Sequence, residues 1–246
     1  MLIDAHCHLS RLSELIDLNT VMEEASKRDI KGWLSCALSR EEVHWHKINH
    51  SPLIKFSAGI HPLTQEGTTL TLDDLNRLAE EKRIFAIGEI GLDKRNSKLE
   101  QQITLLKDQL AIARSFNLPC VFHVVGHLDV FYKILSEQPV IGIWHGFTSS
   151  SEIVTQFSKF GLTYSLGKVM IDSLKHETVK AVINYGNYLI ETDAPYNLKQ
   201  SENSKEKVKN PLLDLCYYAI SVSRLSGLQP KALQYDIMNN VKQYFI

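Results

Sequence analysis

"MLIDAHCHLS", residues 1–10, sets an apolar, strand-like run ahead of a His-x-His pair, His6 and His8. In an extended strand alternate side chains share a face, so the two imidazoles can converge on one point; residues two apart on a helix cannot. A second His-x-His, His44 and His46 in "SREEVHWHKINH" (39–50), falls on polar, helix-like sequence and is expected to be ordinary surface. The first pair therefore gains meaning only if ligand-type residues also end other strands.

Working outward, short runs rich in β-branched and aromatic residues recur: "LIDAHC" (2–7), "GWLSCA" (32–37), "IKFSAGI" (54–60), "IFAIGEI" (84–90), "CVFHVV" (120–125), "VIGIWH" (140–145), "LTYSLG" (162–167) and "YLIETD" (188–193). Between them lie amphipathic stretches such as "TLDDLNRLAEEK" (71–82) and "KLEQQITLLKDQLAIARSF" (98–116). This switching between strand-like and helical periods predicts a parallel sheet. Eight strand candidates are the number that closes a (β/α)₈ TIM barrel, so the expected fold is α/β with a single domain over residues 1–246. The polar stretch "NLKQSENSKEKVKN" (197–210) reads as a long final barrel loop followed by two helices.

The chain has 246 residues, 44% hydrophobic and 22% charged, which suits a folded globular protein and excludes disorder as its main state. A formal net charge of −1 gives no global attraction to nucleic acid, so any polyanion would have to meet a local basic patch or bound cations. Four cysteines lie far apart with no C-x-x-C, which argues against a zinc knot or a disulfide framework. No secretory leader pattern and no run of about 18 apolar residues is present, so a cytoplasmic location with no membrane and no implied protein partner is expected. "SLGKVM" (165–170) lacks the remaining residues of a phosphate loop.

In a TIM barrel the loops after the strands build the active site. His6 and His8 stand at the first strand, His61 after the third, Glu89 and Asp93 at the fourth, His123 at the fifth, His145 at the sixth, and Glu191, Thr192 and Asp193 at the eighth. Imidazoles mixed with a few carboxylates suit Zn²⁺, Mn²⁺ or another first-row ion. Six ligands exceed one open tetrahedral site but match two adjacent ions sharing a carboxylate, with Glu89 the natural bridge. Such a pair can hold a hydroxide and neutralise both attacking and leaving oxygens of a phosphoryl transfer, which points to hydrolysis.

Taken in order, "IDAHCHL", "AGIHP", "IGEIGLD", "LPCVFH", "WHGF" and "IETDAP", with "KNP" and "MNNVKQYF" near the end, resemble the TatD family of metal-dependent deoxyribonucleases in the amidohydrolase superfamily. The resemblance implies that His6, His8, Glu89 and Asp193 hold one divalent ion and Glu89, His123 and His145 the other, the ions being Mg²⁺, Mn²⁺ or Zn²⁺. It implies further that His61 lies near the scissile phosphate as a non-ligand, that Asp193 orients or deprotonates the nucleophilic water, and that DNA is the substrate. Two positions depart from the family pattern: Val125 stands where an arginine is common, and Lys94 where an aromatic residue is frequent. Arginine is the best planar phosphate clamp, so this weakens the nuclease reading more than the hydrolase reading. His127 or the loop lysines Lys199, Lys205, Lys207 and Lys209 could substitute, although Glu202 and Glu206 dilute that loop's charge and nothing aromatic is interleaved to stack bases. Hydrolysis of a small ester, amide, lactone or phosphodiester is the alternative activity, and a purely structural metal site is a third reading.

Overall fold

β-branched and aromatic runs fold as strands where both faces are covered, and here helices cover them after every strand. A computed structural model describes residues 1–64, 70–197 and 209–245. The first half runs β1 (Leu2–Cys7), α1 (Leu9–Ser13), α2 (Leu18–Lys27), β2 (Ile30–Ala37), α3 (Arg40–Ile48), β3 (Ile54–Ala58), α4 (Leu72–Glu80), β4 (Ile87–Asp93) and α5 (Leu99–Ser115). The second half runs β5 (Cys120–Val125), α6 (Leu128–Glu137), β6 (Gly142–Trp144), α7 (Ser151–Phe157), β7 (Thr163–Leu166), α8 (Lys168–Asp172), α9 (His176–Tyr185), β8 (Tyr188–Ile190), α10 (Asp214–Ser226) and α11 (Pro230–Phe245).

The strands follow sequence order, β1 to β8, and every ladder is parallel, as right-handed βα crossovers require. Between β8 and β1 the barrel is closed by single contacts: Asp193 N–H donates to the His6 carbonyl at 2.9 Å, and His8 N–H to the Ala194 carbonyl at 2.7 Å. Asp4, fully buried, completes the seam by accepting from the Thr192 amide at 2.9 Å and its hydroxyl at 2.6 Å. Those bonds explain why β8 stops at Ile190, three residues before the expected run ends: Thr192 bonds to a side chain, and Asp193 takes a left-handed φ of 53°.

Trp33, Phe122, Trp144, Tyr164 and Tyr188 are almost wholly buried and all sit on strands, each contributing on the order of 2–3 kcal/mol of burial. β4 approaches β5 so closely that a Cβ on Gly88 would lie 2.5 Å from Val121 Cβ; only glycine fits beside Glu89. α11 covers the seam, with Asp236 accepting from the Tyr188 hydroxyl at 2.8 Å and Asn240 donating to the Tyr188 carbonyl at 2.9 Å. Among the described residues no helix is long and apolar enough to cross a membrane. Lys199, Lys205 and Lys207 lie outside the described residues, whereas Lys209 pairs with Asp214, the first residue of α10, at 3.2 Å.

Candidate metal centre

Parallel strands place alternate residues on the inner face, and the carboxyl ends of β1, β4, β5, β6 and β8 bring their polar side chains to one point. His6 Nε2 and His8 Nε2 are 3.2 Å apart, each 3.4 Å from Glu89 Oε2 and 3.8 and 3.7 Å from Asp193 Oδ1. Ligands of a tetrahedral ion at about 2.0–2.2 Å stand roughly 3.3–3.6 Å from one another, so these four atoms have the spacing of a coordination shell.

The other oxygen of Glu89 faces a second group. Glu89 Oε1 lies 2.6 Å from His145 Nε2, 3.1 Å from His123 Nδ1 and 3.5 Å from His61 Nε2. His6, His8, His61, His123, His145 and Asp193 therefore meet in one cluster, with Glu89 at its middle. His61 comes as near to Glu89 as His6 does, and it groups with Glu89 and His123 as a possible ligand set, a nearer position than the resemblance implied. Glu89 itself is only 4% exposed.

Burial opposes the charge on Glu89, but His145 and His6 beside it overcome that and hold its carboxyl well below the usual range. Burial also pushes His6 and His61 down, whereas for His8 and His145 burial is outweighed by Glu89, joined at His145 by Glu191, and both are pushed up. His6 Nε2 and His8 Nε2 face one another at 3.2 Å, and the imidazoles around Glu89 share its two oxygens; a divalent cation in place of the shared protons would satisfy all of these atoms, so the residues fit the metal that the family resemblance implies. Asp193 is the most exposed of the carboxylates, its side chain 26% accessible, and burial raises its pKa.

Support behind the donors was only partly legible. Asp93, wholly buried at the end of β4, lies 2.8 Å from His123 Nε2 and accepts from Arg95 through both oxygens. A carboxylate at Nε2 fixes the proton there and leaves His123 Nδ1 free to face Glu89. Although burial works against it, the bonds from Arg95 and His123 hold Asp93 well below the carboxylate range. Glu191 Oε1 takes the Gly146 amide at 2.7 Å and stands 3.6 Å from His145 Nδ1. Cys36 is also close to His8 and Glu89, but burial pushes its thiol up and it donates to the Gly88 carbonyl. The sequence reading gives neither Asp4 nor Arg95 a role: Asp4 stands inside "IDAHCHL" without a partner visible in the sequence, and no motif covers Arg95.

The surface reading of the second His-x-His holds for His44 and fails for His46. His46 is 3% exposed, stacks on Phe56 at 4.6 Å and bonds Ser35 Oγ at 3.2 Å. Ser35 in turn accepts the Leu9 amide, next to His8, so helix α3 turns one histidine inward as a strut. Just before the polar loop Tyr196, 59% exposed, sets its ring edge against His8, the ring centroids 4.7 Å apart.

Two cavities open onto the cluster. One of about 540 Å³ holds His123, His145 and Asp193 together with Lys94 and Arg95; the other, about 610 Å³, holds His61, Asn96 and Lys98.

An eight-stranded parallel barrel with a histidine and carboxylate cluster at its carboxyl end is the architecture of metal-dependent hydrolases. The family model described as TatD-related DNase matches residues 3–246, and the chain belongs to that family of metal-dependent hydrolases. YabD of Bacillus subtilis, an uncharacterized metal-dependent hydrolase, is 30% identical over 258 aligned positions, covering 100% of this chain and 99% of that protein. YcfH of Escherichia coli K12, described in the same words, is 28% identical, covering 99% and 95%. The crystal structure of YjjV, a TatD homologue from Escherichia coli K12, superposes with a TM-score of 0.80 at 22% identity over 99% of this chain and 97% of that one, a likeness of fold.

Proposed function

We propose that this protein hydrolyses phosphodiester bonds in DNA, with two divalent ions held at the barrel mouth. The observation that carries this reading is the two-sided use of Glu89, whose Oε2 faces His6, His8 and Asp193 while Oε1 faces His123 and His145. His6, His8, Glu89 and Asp193 would hold one ion, and Glu89, His123 and His145 the other. Bound there, Mg²⁺, Mn²⁺ or Zn²⁺ would lower the pKa of water and neutralise charge on a phosphoryl group.

The chain's own residues supply the rest. Asp193, at the cavity side of the cluster, takes a proton at its carboxylate from the attacking water. Asp93 and Glu191 fix the rings of His123 and His145, so donor geometry is set before substrate arrives. His61 stands where it can donate to a phosphate oxygen. Two cavities meeting at the cluster, one by His123 and one by His61, leave room for a polymer on both sides of the reacting group. The four free thiols suit action in the cytoplasm.

The test is metal-stripped protein reloaded with Mg²⁺, Mn²⁺ or Zn²⁺ and given end-labelled single-stranded DNA, with Asp193→Asn as control. Metal-dependent shortening absent from the variant supports the nuclease reading. Intact DNA with cleavage of a small phosphodiester or ester would move the substrate to small molecules, for which a 540 Å³ cavity is also large enough.

A further inference from the structure

The cavity beside His123, His145 and Asp193 carries two cationic side chains, Lys94 and Arg95, the first held by the end of β5 and the second by the end of β4. The Lys94 amide donates to the Val125 carbonyl at 2.8 Å, extending the β4–β5 ladder by one residue. Beyond Val125 the chain turns through Gly126 at φ +79°, and the lysine stem lies across it: a Cβ there would stand 2.9 Å from Lys94 Cδ and 3.1 Å from Lys94 Cβ. The absence of a side chain at 126 is what lets the ammonium lie over the strand end. Among the described residues Lys94 makes no ion pair.

Arg95 is held differently. Its Nε and Nη2 grip Asp93, and its Nη1 bonds to none of the described residues, so one edge of the fork is fixed and the other faces the cavity. Asp93 and Arg95 balance one another in charge, which leaves Lys94 as the cation of this wall with no ion-pair partner among the described residues. Val124, Leu128 and Trp144 nearby are apolar and cannot satisfy it.

We propose that Lys94, assisted by the free edge of Arg95, forms an anion subsite that receives a phosphate of the substrate other than the one at the metal cluster. This rests on the phosphodiester reading and narrows it to substrates bearing at least two phosphates. The subsite also supplies, from β4, the phosphate contact that Val125 on β5 does not.

Isothermal titration of the metal-loaded full chain, in the cold and before turnover, with dTpdT and with its 5′-phosphorylated form pdTpdT tests it, since only the second phosphate differs. The wild type is expected to bind pdTpdT about tenfold more tightly than dTpdT, the size of one charge-assisted contact. Lys94→Ala should lose most of that preference and Lys94→Arg should keep it. Lys94 is exposed, so both variants should melt with the wild type; Arg95→Ala should lose the preference too but also loosen His123. Equal binding of the two dinucleotides by the wild type, an unchanged preference in Lys94→Ala, or no detectable binding of either at millimolar concentration overturns the subsite. If the preference stands while the metal-loaded enzyme cleaves neither compound, the subsite survives and the nuclease reading falls.

Discussion

Glu89 answers for both halves of the cluster, because each of its oxygens faces a different set of imidazoles. Glu89→Ala should therefore lose activity and at least one bound ion; full occupancy by elemental analysis would remove it from the centre. Asp193→Asn should lower kcat by at least about 10²-fold while the circular dichroism of the barrel is unchanged, the range for loss of a positioned base. The two histidines of α3 should separate cleanly. His46→Ala removes a ring stacked on Phe56 and bonded to Ser35 and should destabilise by about 2–4 kcal/mol, whereas His44→Ala should leave melting and metal content as they were. At this scale the sequence exposes the donors themselves, since histidines and acids at strand ends are chemically conspicuous. It conceals Asp4, whose partner Thr192 is 188 residues away, and Arg95, whose meaning lies in the carboxylate it grips.

Elements were legible where period and composition agree. "LIDAHC" and "CVFHVV" are strands to the residue, because each has a parallel partner from its first residue to its last, β2 for the first and β4 for the second. "YLIETD" overruns because hydropathy cannot tell that Thr192 will bond to the Asp4 side chain in place of a strand partner. Next to Glu89, β4 lies tight against β5 at Gly88. Gly88→Ala should cost about 1–3 kcal/mol through overpacking and, by shifting Glu89, should weaken metal binding as read by titration. Around the barrel, α4 is tied to α3 through Asp74, which closes a capping box with Thr71 and accepts from Arg40 and Arg77. Burial opposes its charge, yet those bonds lower the Asp74 pKa from 3.8 to about 2. A carboxyl depressed in the folded state stabilises at higher pH, and its contribution is lost as pH falls from about 4 through about 2. With both arginines solvent-exposed the effect is about 1–2 kcal/mol, so Asp74→Asn should melt lower at pH 7 and lose that part of the acid dependence.

For the whole molecule, a net charge of −1 means that affinity for a polyanion must come from the barrel mouth, from ions and from Lys94. A cluster of converging lone pairs is also a stability element. Chelation should lower the melting temperature, and readdition of ion at about 100 times its Kd should restore roughly 5–10 °C, from about 2.7 kcal/mol of linkage in a chain of this size. An unchanged melting curve would show that the cluster holds no ion. The barrel as a whole was readable because eight alternations leave few topologies, while its closure was not, since β8 and β1 meet through isolated bonds with no ladder. That seam has a consequence for biogenesis. A ribosome delivers His6 and His8 first and Asp193 last of the cluster, whereas Glu89, His123 and His145 emerge within one stretch of β4 to β6. A growing chain can thus assemble the second donor group well before the first, and nascent protein passes through a half-built stage in which the opening histidines wait, unmatched, for the strand that follows nearly two hundred residues behind them.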